Sequence, residues 1–253
     1  RFMVSGGAAL PFDVGRWFLG IGLPIIQGFG LTETSPAICL NDPDGDWRLD
    51  TVGPPLDGVE LMIAADGEIL SRGPHIMAGY YEMPEETAEA IDPEGWFHTG
   101  DIGEVTPEGH LRITDRKKNI MVLANGKNVA PVPIEDRLRS SPLISQIMLI
   151  GDNQNVVTAL IVPAFDALER ALAEQGEPAT GREAILASKT AEKLIRAEIQ
   201  RLSGDLAPFE VVRKFRLLPQ EFSLEREEMT PTLKLRRRQI LENYRELVRE
   251  MAE

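Results

Sequence analysis

The sequence predicts two units of mixed α/β and α+β class: the end of an α/β layer with a β-rich subdomain, then a small α+β domain after a hinge. Three observations carry this. Apolar positions at helical spacing over residues 10–24 lie between two short strand-like runs, the order found in α/β layers. From Thr51 to Thr114 short apolar runs instead alternate with turn signals, the texture of antiparallel sheet. The polar run Asp115-Arg116-Lys117-Lys118 then interrupts the strands, and a self-contained pattern follows it. The boundaries therefore read 1–114 for the first unit (1–50 α/β, 51–114 β-rich), 115–118 for the hinge and 119–253 for the small domain.

Taken in order, Arg1-Phe2-Met3-Val4-Ser5-Gly6-Gly7 reads as a strand entering a glycine turn, and Ile25-Ile26 as a second strand leading to a turn at Gly28 to Thr34. Asp66-Gly67 separates Leu61-Met62-Ile63 from Ile69-Leu70, and Glu108-Gly109 separates Val105 from Leu111-Arg112-Ile113, two hairpin signals. Pro84 to Ala90 is a short helix with proline at its start and acids in its first turn, where the helix dipole favours them. In the second unit Asn125-Gly126 marks a hairpin between Ile120–Leu123 and Lys127–Val129. A helix covers Pro133 to Leu138, and apolar strands cover Ile144–Ile150 and Val156–Val162. Helical segments over Phe165–Gln175 and Arg182–Leu202 are parted by the breaker cluster Gly176 to Gly181. Val211–Leu218 reads as a strand and Leu235–Met251 as a terminal amphipathic helix.

Composition narrows the function classes. With 253 residues, 43% hydrophobic and 26% charged, the chain has the make-up of a soluble globular protein with a substantial core. A net charge of −13 excludes the basic footprint of a nucleic-acid binder and repels anionic lipid, leaving peripheral membrane contact to local basic clusters. No apolar run approaches the roughly 20 residues of a spanning helix. Cys39 is the single cysteine, so no intrachain disulfide can form and a cytoplasmic, reducing setting is expected. The start lacks both an initiator methionine and a signal-peptide pattern and falls within a strand, so further sequence upstream is expected. No feature fixes an oligomeric state.

Several motifs carry chemistry. Ser5-Gly6-Gly7-Ala8-Ala9 places small residues after a strand, where a backbone can approach a flat ligand; Gly6, Gly7 and Ala8 are the candidates, and a plain strand-to-helix turn is the alternative. In Gln27-Gly28-Phe29-Gly30-Leu31-Thr32-Glu33 an aromatic between two glycines would offer an exposed face to a purine. There Thr32 can donate to phosphate and Glu33 suits a hard cation such as Mg2+; a buried phenylalanine on a glycine turn is the alternative. Trp96-Phe97-His98-Thr99-Gly100-Asp101 presents a carboxylate suited to vicinal hydroxyls, while the lone His98 reads as structural. Arg116 has donors for the same hydroxyls, and Lys117 reads as part of a solvated turn. Lys234, on the Thr/Pro-rich turn Met229-Thr230-Pro231-Thr232-Leu233-Lys234, is a mobile point charge able to stabilise developing phosphate and carboxylate charge. Taken alone it is a surface lysine before a basic helix, and Arg236, Arg237 and Arg238 read either as a solvated face or as holders of phosphates, which the resemblance named below would make those of CoA.

In this order the motifs resemble the adenylate-forming superfamily of acyl-CoA synthetases, luciferases and peptide-synthetase adenylation domains, most closely its long-chain fatty acyl-CoA ligases. The resemblance covers the C-terminal half of such an enzyme. It implies that Phe29 stacks on adenine, Thr32 touches the AMP phosphate, Glu33 helps bind magnesium, and Asp101 and Arg116 hold the ribose. It places the hinge at Lys118, the glycine of the CoA tunnel at Gly126 and the catalytic lysine at Lys234; a second lysine found in some relatives is replaced here by Val122. The implied ligands are ATP or AMP, Mg2+, CoA and a fatty acid. The implied reaction converts fatty acid, ATP and CoA to acyl-CoA, AMP and pyrophosphate. The family's Ser/Thr/Gly-rich phosphate loop does not occur in these residues, so the chain alone is expected to be inactive. An acyl-AMP ligase that loads a carrier protein and a non-catalytic nucleotide-binding or interaction module remain as alternatives.

Overall fold

A computed structural model describes residues 2–8, 10–231 and 234–252. Arg1, Ala9, Thr232, Leu233 and Glu253, all touched by the sequence reading, lie outside them. The chain divides into two compact units, Arg1–Lys118 and Asn119–Glu253, each with mixed helices and sheets.

The first unit opens with β1 (Met3–Ser5) and α1 (Phe12–Gly20), followed by β2 (Ile25–Phe29). β1 and β2 run parallel, with Ser5 opposite Gln27, and β3 (Cys39–Leu40) joins β2 antiparallel. The helix is shorter than the apolar period suggested because Pro11 sets its start and Gly22, at φ +79, follows its end. Much of its apolar face is open to solvent: Phe12, Trp17 and Leu19 are exposed, as are Phe2 and Val4 at the start of the chain.

The β-rich part is a four-stranded antiparallel sheet in sequential order, β4 (Glu60–Ile63), β5 (Glu68–Arg72), β6 (Phe97–Val105) and β7 (Leu111–Arg116). α2 (Pro84–Ala90) sits between β5 and β6. β7 runs through Asp115 and Arg116, two residues assigned to the hinge from sequence, so only the 3-10 turn Lys117–Asn119 separates it from the next strand. Ile38, Cys39, Val52, Ile69 and Leu111 form the core shared by the two parts of this unit.

The second unit starts with the hairpin β8 (Met121–Val122) and β9 (Asn128–Val129) and the helix α3 (Pro131–Arg139). Its centre is a three-stranded sheet in which β11 (Thr158–Pro163) lies between β10 (Ile144–Ile150), antiparallel to it, and β12 (Lys214–Leu217), parallel to it. The alternation of the strands feeds two cores. Ile147, Leu149, Ala159, Ile161 and Phe215 face α3 and the helices α4 (Phe165–Glu174), α5 (Arg182–Ala187) and α6 (Lys189–Leu202). Met148, Ile150, Leu160 and Val162 face the terminal helices α7 (Arg237–Asn243) and α8 (Arg245–Ala252) through Ile240 and Met251. Two expected helices are each interrupted. Ser188 caps α6 by accepting from the Ala191 N–H at 3.1 Å, and Tyr244 leaves helical geometry between α7 and α8.

Candidate functional site

Gly6, Gly7 and Ala8 follow the carboxyl end of β1, beside the carboxyl end of β2 that carries Gly28, Phe29 and Gly30. Ligands of α/β sheets gather at such carboxyl ends. Gly6, Gly7 and Ala8 are exposed, and a Cβ on Gly6 would lie 3.9 Å from the Gly28 carbonyl oxygen. Gly7 adopts φ +76, which favours glycine. Gln27, unremarked in the motif, braces this edge: the Leu10 N–H donates to its Oε1 at 3.0 Å and its Nε2 donates to the Leu49 carbonyl at 2.7 Å.

Phe29 departs from expectation. Its ring is 9% exposed and packs with Ile38, Cys39, Val52, Ile69 and Leu111, so it does not present the open face expected for a purine. Cys39 pairs with Phe29 across the β2–β3 ladder and the Ile38 N–H donates to the Phe29 carbonyl at 2.7 Å, which draws the residue into the core. Packing demands the second flanking glycine: a Cβ on Gly30 would overlap the Pro36 carbonyl oxygen at 1.8 Å, whereas one on Gly28 would meet only the movable end of the Leu40 side chain at 2.9 Å.

Beyond Gly30 the 3-10 turn Thr32–Thr34 is closed by the buried Thr34, whose hydroxyl accepts from the Leu31 N–H at 2.9 Å. Thr32 is thereby left exposed and Glu33 half-buried. Tyr80 donates its phenol to Glu33 Oε1 at 3.0 Å, and the Met77 N–H donates to the Glu33 carbonyl at 2.8 Å. Burial first, and the carboxylate second, raise the Tyr80 pKa. The sequence reading did not identify Tyr80. Among the described residues no three His, Cys, Asp or Glu side chains gather to hold a metal. Mg2+ is commonly held by one or two carboxylates together with substrate phosphates, and Glu33 fits that sparse donor set.

Asp101 and Arg116 come together because β6 and β7 place them directly opposite. Asp101 is 5% exposed, and Arg116 Nε lies 3.2 Å from its Oδ1. Upstream, Thr99 donates to the Ile69 carbonyl at 2.7 Å and accepts from the Asp101 N–H at 3.1 Å, which orients the residue. Glu68, a buried carboxylate that the sequence reading passed over, holds the residues next to this pair in sequence, Gly100 and Lys117. It accepts from the Gly100 N–H at 3.0 Å, from Lys117 Nζ at 2.8 Å and contacts His98 Nδ1 at 3.1 Å. Burial works to raise its pKa, but Lys117, His98 and the Gly100 N–H prevail and hold it below the ordinary glutamate value.

Lys117 also reaches Asp66 at 2.7 Å, so it is an anchored cation where a solvated turn was expected. Its pKa is raised by hydrogen bonds to Asp66 and Glu68. Lys118, next along, is exposed and is the last residue of the first unit.

Gly126 and Lys234 belong to the second unit. Gly126 has φ +77 with open space where a side chain would point, on a loop closed by its N–H donating to the Leu123 carbonyl at 2.8 Å. Lys234 is exposed on a hairpin whose base is the bridge between Met229 and Leu235. The Thr230 N–H donates to the Lys234 carbonyl at 2.8 Å and the Lys234 N–H to Thr230 Oγ1 at 3.1 Å. Arg237 is not part of a solvated basic face, because it pairs with the buried Glu135.

Residues 1–81 match the family model described as AMP-binding enzyme, and residues 118–253 the model described as AMP-binding enzyme C-terminal domain. The chain is 40% identical over 247 residues to a long-chain-fatty-acid–CoA ligase of Mycobacterium tuberculosis, covering 96% of this chain and 40% of that ligase. It is 36% identical over 259 residues to human long-chain-fatty-acid–CoA ligase 1, covering 96% of this chain and 37% of the human protein. Among solved structures it is similar to the A domain of the carboxylic acid reductase of Segniliparus rugosus, in complex with AMP and a co-purified carboxylic acid. That match has a TM-score of 0.73 at 26% identity over 98% of this chain and 38% of the other. The chain thus spans about two fifths of the length of the curated ligases it matches. Both units match in chain order, and the chain belongs to the AMP-binding enzyme family.

Proposed function

We propose that these residues supply the C-terminal part of an AMP-forming long-chain fatty acid–CoA ligase. The observation that carries this reading is the Asp101–Arg116 pair set on facing strands, within a chain 40% identical to such a ligase. A carboxylate flanked by a guanidinium suits a ribose diol: the carboxylate accepts from two hydroxyls while the arginine fixes its orientation. On this reading Thr32 donates to the α-phosphate, and Gly6, Gly7, Ala8, Gly28 and Gly30 shape the backbone against the nucleotide. Phe29, packed into the core, holds the β2 end that carries Gly28 and Gly30. Glu33, oriented by Tyr80, would help hold Mg2+, which when bound neutralises phosphate charge.

The chemistry has two steps. The fatty carboxylate oxygen attacks the α-phosphorus of ATP, forming acyl-AMP as pyrophosphate leaves. The CoA thiolate sulfur then attacks the acyl carbon, forming the thioester as AMP leaves. Lys234 places its ammonium against the charge developing on the α-phosphate and carboxylate in the first step. Lys118 serves as the pivot between the units, and the Gly126 loop lines the CoA path for the second step. Because no Ser/Thr/Gly-rich phosphate loop occurs in these residues, the 253-residue chain by itself does not run adenylation.

The test is Lys234→Ala in the complete ligase that contains this sequence. ATP–pyrophosphate exchange falls by a factor of hundreds, the order seen on losing an oxyanion donor, while thioester formation from supplied acyl-adenylate persists. Exchange at the normal rate would refute the assignment. Transfer to a carrier protein is the second reading, favoured by the likeness to a structure described as the A-PCP didomain of carboxylic acid reductase, with a TM-score of 0.73 at 26% identity. Replacing CoA with a carrier in the thioester assay separates the two.

A further inference from the structure

We infer that Glu135 and Arg237 are positioning residues for Lys234, an inference that rests on the adenylation role proposed above for that lysine. Glu135 lies on α3 and is 5% exposed. Its Oε1 accepts from the Leu149 N–H at 2.6 Å and its Oε2 pairs with Arg237 at the start of α7. Arg237 in turn donates to the Leu149 carbonyl at 3.1 Å. One residue's backbone on an edge strand, one helix carboxylate and one guanidinium thus close a ring among segments 102 residues apart.

The ring serves β10 as a neighbouring strand would. Leu149 pairs with Ala159 on one side, and on the open side Glu135 and Arg237 take up the N–H and carbonyl that an edge strand would otherwise leave to water. A buried ion pair contributes little net stability over a well-packed apolar substitute, and its best-attested use is to fix one register among several. What this pair fixes is the residue three positions beyond Lys234.

The other end of the hairpin is held in a similar way. Glu228, 0% exposed, accepts from Arg226 Nε at 2.9 Å, from Asn243 Nδ2 at 3.0 Å and from the Ser223 N–H at 3.3 Å. Its carbonyl accepts from the Arg236 N–H at 2.8 Å. The Met229–Leu235 bridge therefore stands between two buried carboxylates, one just before it and one reached by Arg237 just after it. The hairpin cannot tilt against the sheet without breaking a charged contact in the interior, so the exposed lysine swings on its own flexible stem from a fixed base.

Glu135→Gln tests this, because the amide keeps an acceptor for the Leu149 N–H and removes the charge that holds Arg237. Arg237→Lys is the companion variant, since an ammonium cannot bridge Glu135 and the Leu149 carbonyl as the planar fork does. In the 253-residue chain, amide hydrogen exchange at Thr230, Lys234 and Arg236 is expected to quicken in both variants. In the complete ligase, ATP–pyrophosphate exchange is expected to fall by roughly tenfold to a hundredfold, the order set by a misplacement of about an ångström. Thioester formation from supplied acyl-adenylate is expected to keep its rate. Unchanged pyrophosphate exchange in both variants, with Lys234→Ala still slow, would overturn the inference and leave the proposed function standing. Equal loss of both half-reactions with a lowered Tm would reduce the pair to a structural one and overturn it as well. If Lys234→Ala itself exchanges pyrophosphate normally, the proposed function fails first, and this inference with it.

Discussion

Replacing Gly30 with alanine would put a methyl carbon 1.8 Å from the Pro36 carbonyl oxygen and 2.7 Å from the Ala37 Cα. Real Cβ atoms essentially never approach within 3.0 Å, and the obstacle is backbone, which has no rotamer to move to. The Pro36 peptide must retreat by more than an ångström. That movement pulls on the Ile38 N–H bond to Phe29 and on the Cys39 pairing, the contacts that seat the Thr32–Thr34 turn. Overpacking costs about 1–3 kcal/mol, and a backbone obstacle places this change at or above about 3 kcal/mol. Gly7→Ala is the control: its φ of +76 carries only the left-handed penalty of about 1 kcal/mol, because nothing lies within 4 Å of the new carbon. The assay is urea unfolding followed by tryptophan fluorescence, which reads the first unit alone since Trp17, Trp47 and Trp96 all fall within Arg1–Lys118. With a slope of about 1–3 kcal/mol per molar, the Gly30→Ala midpoint should drop by roughly 1 M or more. A midpoint no lower than that of Gly7→Ala would refute the packing argument.

Other outcomes follow from named contacts. Burial pushes the Cys39 thiol up to about 12, so native protein at pH 8 should not react with a disulfide reagent until denaturant is added; full labelling of folded protein would contradict this. Glu68 titrates lower folded than unfolded, so its contribution is complete above the ordinary glutamate value and is lost as pH falls through the folded value. Glu68→Gln should accordingly destabilise the first unit at pH 7 by about 1–3 kcal/mol and flatten the acid limb of its stability curve. An unchanged limb would dismiss Glu68 as its source. Leu160→Ala, at a side chain with no exposure on the central strand of the second unit, should cost about 2–5 kcal/mol by thermal unfolding. Tyr80→Phe should raise the Mg2+ concentration needed for half-maximal adenylation in the complete ligase with little change in stability, since it removes one hydrogen bond to Glu33; an unchanged Mg2+ dependence would remove Tyr80 from the site.

The parts of the fold that were legible are those where one period dominates. Ile144–Ile150 reads as a strand because it is apolar with few interruptions, and Pro84–Ala90 as a helix because proline and acids mark its start. β6 was read only at Val105, since Thr99, Gly100, Asp101 and Gly103 break the apolar alternation along the strand. Tyr244 looks like any helical residue in the sequence, yet it leaves helical geometry where it packs edge-on to Phe222 beside the second core. Around the proposed site, short-range motifs pointed to Asp101, Arg116 and Glu33, whereas the residues that contact their neighbourhood were silent. Glu68 and Lys117 are 49 positions apart, and Glu33 and Tyr80 are 47 apart. A charge run such as Arg236 to Arg238 looks uniformly solvated until the fold shows Arg237 paired with a buried acid. Phe29 misled for a related reason, because a glycine on each side signals openness while Gly30 is there to let the Pro36–Ala37 backbone close in.

The two terminal helices are a wall of the small unit and not a tail. Ile240 and Met251 are sealed against Met148, Leu160 and Val162, so the last turn of the chain closes the far side of the central strand. Removing residues 237–252 would strip both covers from that strand, and loss of solubility would follow although every motif upstream were intact. Engineers shortening or splitting this polypeptide should therefore cut elsewhere.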